Sequence, residues 1–81
     1  MLMEQLVELS DTEVRMGFAA SCVEGVARRL GITYREAYDR MERFDMIGGY
    51  ILPCYEALHS ESREQVTDHM VEYLRVREEA L

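Results

Sequence analysis

Two reciprocal helix caps and the glycine between them constrain this chain most. Ser10-Asp-Thr-Glu13 and Thr33-Tyr-Arg-Glu36 each place a hydroxyl three residues before a carboxylate. At that spacing the hydroxyl accepts the third helical amide, and the carboxylate reaches back to the amide of the capping residue. Gly31 lies just before the second box and supplies the left-handed residue on which a helix stops. Arg28 and Arg29 complement the negative end of the helix that stops there. The pattern predicts a first helix from the Ser10 cap to Leu30 and a second opening at Thr33.

The first helix is apolar around most of its circumference. Val14, Phe18, Cys22 and Val26 follow a four-residue step, with Ala19, Val23, Ala27 and Leu30 alongside. A stripe that wide belongs to a central helix covered on more than one side. Gly17, Ala20, Ser21 and Gly25 are small enough to let neighbours approach. Each glycine costs up to about 1 kcal/mol of helix propensity, which close packing would offset.

In the second helix Tyr34, Ala37, Tyr38, Met41 and Phe44 keep the i, i+3, i+4, i+7 spacing of a half-buried helix. Its outer face pairs Glu36 with Arg40 and Asp39 with Arg43. Gly48-Gly49 then ends or hinges the path. Pro53 is tolerated in a first turn and costs about 3 kcal/mol inside a helix, so the third helix is placed from Gly49 or Tyr50. Its inward stripe is Ile51, Cys54, Tyr55 and Leu58. Ser60 or Ser62 caps a last helix from about Glu61 to Glu78, with Val66, Met70, Tyr73 and Leu74 inside. Strand alternation and internal repeats are absent. The fold class read from this pattern is all-α: a compact bundle of four helices over residues 10–81. Residues 1–9 form an N-terminal arm or a short extra helix.

Composition narrows the function classes. Apolar residues make up 48% of 81 residues, ample for one globular core and rich enough to predict self-association into a homo-oligomer. The net charge is −7, and all nine basic residues are arginine. Phosphate-backbone binding needs a clustered cationic excess, so nucleic acid is not the expected partner, although residues 28–43 are locally basic. No basic leader or long apolar run opens the chain, so a cytoplasmic protein without a membrane span is expected.

Chemistry-bearing residues are few. Cys54, His59 and His69 match no usual zinc spacing, and no metal or cofactor is expected. Cys22 and Cys54 read as small hydrophobes on apolar stripes. No Gly-rich phosphate loop and no nucleophile–base set is readable, so no enzyme is expected. Among the tyrosines, Tyr34, Tyr50 and Tyr55 are candidates for partner contact, since tyrosine is enriched at interface hot spots.

Cys22-Val-Glu24, Gly31-Ile-Thr with Glu36-Ala-Tyr38, Tyr50-Ile-Leu, and Tyr55-Glu-Ala-Leu-His-Ser60 carry a family resemblance. From Phe18 to Tyr73 the chain resembles the bacterial family catalogued as domain of unknown function 3791. The Tyr55, Leu58, His59, Ser60 stretch is its most specific part. Pro53 and Gly48-Gly49 depart from the family pattern and bear on where the third helix starts. The resemblance implies an all-helical protein, often encoded beside an ADP-ribosyltransferase-like protein in a toxin–antitoxin arrangement. This chain would then be the small antitoxin-like or accessory partner. The alternative is a helix-turn-helix-like nucleic-acid-binding regulator, with helices two and three as its reading unit. For His59 the residues themselves favour a structural role at a helix end.

Overall fold

The structure, a computed structural model, describes residues 10–81. The expected arm over residues 1–9 lies outside the described residues.

Every long helix begins on a complete capping box. Helix α1 (Asp11–Leu30) starts at Ser10, whose Oγ accepts the Glu13 amide at 3.1 Å while Glu13 accepts the Ser10 amide at 2.9 Å. Helix α2 (Tyr34–Glu42) repeats the exchange between Thr33 and Glu36 at 3.0 and 2.9 Å. After the one-turn helix α3 (Tyr55–Leu58), Ser62 and Gln65 do the same for α4 (Arg63–Glu79). Each box satisfies amides that helix geometry leaves without a partner. Gly31 ends α1 at φ 69°, and the Ile32 amide returns to the Ala27 carbonyl at 3.0 Å. That six-to-one bond is the Schellman stop.

The stretch between α2 and α3 corrects the sequence reading. Helix α2 ends at Glu42, and the left-handed residue after it is Asp45, at φ 53°. The chain then makes a π-helical turn over Ile47–Ile51, in which the Leu52 amide reaches the Ile47 carbonyl at 2.9 Å. Gly48 and Gly49 therefore lie inside a helical turn and do not break one. Their lack of Cβ leaves room for the Asp45 carboxylate, which a Cβ would meet at 3.2 Å from Gly48 and 3.0 Å from Gly49. Pro53 follows the widened turn. A proline ring collides with the carbonyl four residues back in α geometry, and a five-residue step relieves that crowding. Pro53 thus sits after a π turn and outside α3, whose four residues start later than expected.

Helix α1 is the central element and packs against both α2 and α4. Its buried side chains, Ala19, Cys22, Val23, Val26 and Ala27, run from the middle of the helix toward its C-terminal end. Met41, Met46, Ile51, Met70 and Leu74 fill the space around them. Val14 faces solvent, so the stripe expected along α1 begins one turn later. Gly25 sits at the contact with α4: a Cβ there would lie 2.5 Å from Thr67 Oγ1. Gly17 has open space where its Cβ would be, so close packing explains only Gly25.

The ion pairs also differ from the helix-neighbour expectation. Arg40 crosses to Glu78 of α4, with Nε and Nη2 at 2.8 and 2.6 Å from its two oxygens. Asp39 is taken by Arg35 at 3.2 Å. Glu36 is engaged by its cap.

Candidate functional site

The Tyr55-to-Ser60 stretch gathers with the first turns of α1. Tyr55 opens α3, and its ring meets that of Phe18 edge to face at 84°, with centroids 5.3 Å apart. The guanidinium of Arg15 sits 4.5 Å from the same ring. Arg15 is itself held by Asp11 at 2.9 Å and Glu56 at 3.1 Å, which ties α1 to α3. The His59 imidazole stacks on Tyr55 at 4.4 Å and 6°. One ring is thus shared by an aromatic neighbour, a cation and a stacked imidazole.

The rest of the stretch terminates α3. His59 Nδ1 lies 2.9 Å from the Tyr55 carbonyl oxygen, and a carbonyl only accepts, so Nδ1 carries the proton. Nε2 is then the ring nitrogen left for other contacts. Ser60 Oγ donates to the Ala57 carbonyl at 2.9 Å. Leu58 is 5% exposed and belongs to the core. The motif therefore reads as one residue for the ring cluster, one for the core and two that satisfy helix-end carbonyls.

Beside this cluster lies a cleft of ≈ 200 Å³. Phe18, Ser21 and Cys22 of α1 form one wall, Val66 and Thr67 of α4 the other, and His59, Glu61 and Arg63 the rim. Cys22 is 2% exposed, and burial pushes its thiol up to about 11. A thiol raised that far keeps its proton at pH 7. On the rim, Glu61 is drawn to His69, with Oε1 2.9 Å from Nε2.

The remaining candidates are elsewhere. Tyr50 stacks on Tyr73 at 4.3 Å and 12°, with Arg77 3.4 Å over Tyr73, and burial raises the Tyr50 phenol. Tyr34 is 48% exposed at the start of α2. Cys54 faces solvent, which corrects its placement on an inward stripe. Cys54, His59 and His69 do not converge, and no group of three or more His, Cys, Asp or Glu among the described residues is placed to hold a metal ion. Sequence reading missed Arg15 and Arg63. Asp11 and Arg15 at i, i+4 were a readable signal; the contact of Arg15 with Glu56 was not.

Residues 17–77 match the family described as Protein of unknown function (DUF3791). The chain belongs to the DUF3791 family. Comparison with curated proteins and with solved structures gives no match. In this DUF3791 protein the matched span includes both walls of the cleft and the Tyr55 ring, and stops two residues before the end of α4. No helix among the described residues is long and apolar enough to cross a membrane.

Proposed function

We propose that this DUF3791 protein is a small helical interaction module that docks onto a protein partner and carries out no reaction of its own. The observation that supports this best is the cleft. At ≈ 200 Å³ it is the size of one side chain of another protein, and the ≈ 460 Å³ groove beside it is lined mostly by the charged side chains Arg28, Arg29, Arg63 and Glu64. Its thiol is protonated, and the adjacent histidine is engaged in stacking and in capping a helix end. The net charge of −7 favours a basic partner surface and fast encounter with it.

The specific version of the proposal takes the partner to be an ADP-ribosyltransferase-like toxin encoded next to the gene, with this chain as its antitoxin-like or accessory protein. That version rests on the gene arrangement associated with the family and on charge. Co-expression with the neighbouring gene product tests it. A stoichiometric complex that withstands purification is the expected result; separate elution at low salt removes the specific partner.

Four of the five arginines in residues 28–43 are held by carboxylates: Arg28 by Glu24, Arg29 by Asp68, Arg35 by Asp39 and Arg40 by Glu78. This weakens the case for a phosphate-binding face. Self-association belongs to the proposal as well. Val14, Met16 and Tyr34 are large apolar groups left in solvent, and sedimentation across concentrations reads the state directly.

A further inference from the structure

The docking reading leaves open what the cleft accepts. Its walls are apolar or weakly polar, formed by Phe18, Ser21, Cys22, Val66 and Thr67. Its rim carries one acidic and one basic side chain, Glu61 and Arg63. Glu61 is turned toward His69 at 2.9 Å, while Arg63 forms no ion pair among the described residues. Arg63 is also the first residue of α4, where the positive end of the helix dipole opposes a cation. An exposed arginine placed against local preference, beside an apolar hollow on an acidic protein, has electrostatic capacity that the fold does not use.

We propose that the cleft takes an aliphatic side chain of the protein partner with a carboxylate beside it, the apolar part against Cys22 and Val66 and the carboxylate on Arg63. The inference rests on the docking reading and specifies its ligand. A cleft of ≈ 200 Å³ holds a single side chain, and its walls of Phe18, Cys22 and Val66 favour a hydrocarbon one. Arg63 selects the charge: its planar fork suits two-point pairing with a carboxylate. The same residue borders the neighbouring groove lined by Gly25, Arg28, Arg29, Glu64 and Thr67, where Arg28 and Arg29 are already held by Glu24 and Asp68, so Arg63 is the cation there that no carboxylate among the described residues holds.

A small probe carries both features. The full chain, labelled with nitrogen-15, is titrated with 4-methylpentanoate, with acetate and with 3-methylbutan-1-ol at matched ionic strength. The expected result is saturable shifts at the amides of Cys22, Val66 and Thr67 with 4-methylpentanoate, at about tenfold tighter affinity than with either single-feature probe. Arg63→Gln, an exposed position whose change leaves the core intact, brings the acid down to the level of the alcohol. Equal affinity for acid and alcohol, indifference to Arg63→Gln, or no saturable shift each overturns the inference. A complex with the neighbouring gene product that forms while 4-methylpentanoate fails to bind removes this inference and leaves the docking reading standing.

Discussion

Arg40 and Glu78 are joined by two hydrogen bonds, 2.8 and 2.6 Å long, that fasten α2 to the last turn of α4. The two residues come from the half-exposed margin of each helix, and Leu30, Val71 and Leu74 lie beside them in the groove they border. The pair closes the side of the bundle opposite the capped start of α4.

Its energetic role is modest and dependent on pH. The Arg40 guanidinium holds the Glu78 carboxyl below its ordinary value, first through hydrogen bonding. A carboxylate depressed in the folded state contributes stability above its unfolded pKa and loses it as pH falls through the folded one. Arg40→Ala is expected to cost about 0.5–1 kcal/mol at pH 7, the upper part of the range for exposed pairs. The deficit should shrink toward zero in acid. Urea titrations of wild type, Arg40→Ala, Glu78→Gln and the double variant at both pH values measure the coupling.

Gly25 and Gly17 should respond to alanine in opposite directions. At Gly25 the new Cβ would lie 2.5 Å from Thr67 Oγ1, so Gly25→Ala loses about 1–3 kcal/mol despite better helix propensity. Gly17 meets nothing within 4 Å, and Gly17→Ala gains up to about 1 kcal/mol. Adding Thr67→Ala to Gly25→Ala should recover most of the loss. Thermal melts of the four proteins decide between packing and propensity.

Asp45 stands at φ 53°, a region that costs most side chains about 1 kcal/mol or more. Asp45→Ala is expected to destabilise by about that amount, whereas Asp45→Gly is neutral or stabilising. Gly49→Ala should be harmful in wild type, where its Cβ would press on the Asp45 carboxylate at 3.0 Å, and tolerated once Asp45 is glycine. Chemical denaturation of the single and double variants reads this dependence.

The two cysteines should separate under a thiol reagent. Exposed Cys54 reacts in the native protein; buried Cys22, its thiol raised to about 11, reacts only on unfolding. Peptide mapping after labelling at pH 8 identifies the modified residue. Cys22 labelled as fast as Cys54 would mean that the wall of the cleft opens freely.

The starts of α1 and α2 were legible because a capping box is local: Ser10 and Thr33 act through residues three positions on, whereas for α4 the sequence left Ser60 or Ser62 and the structure takes Ser62, which closes its box on Gln65. The stop at Gly31 was legible for the same reason. The end of α2 was not, since an aspartate took the left-handed position that glycine ordinarily advertises, and the conspicuous glycines served to seat its carboxylate. A π turn has no distinctive period over five residues and leaves no signal in apolar spacing. The site was partly readable. Tyr55 and His59 sit one helical turn apart and stack, but Phe18 and Arg15 reach Tyr55 from 37 and 40 positions away, beyond any local pattern.

Where α1 and α4 touch, the bare Cα of Gly25 receives Thr67 Oγ1. Sliding one rod along the other by a turn would set Ser21 or Arg29 opposite that hydroxyl, and both carry the carbon for which there is no room. A slip of one turn in either direction is therefore excluded. Ser21 and Cys22 face Val66 and Thr67 across a gap whose width is set before any guest arrives.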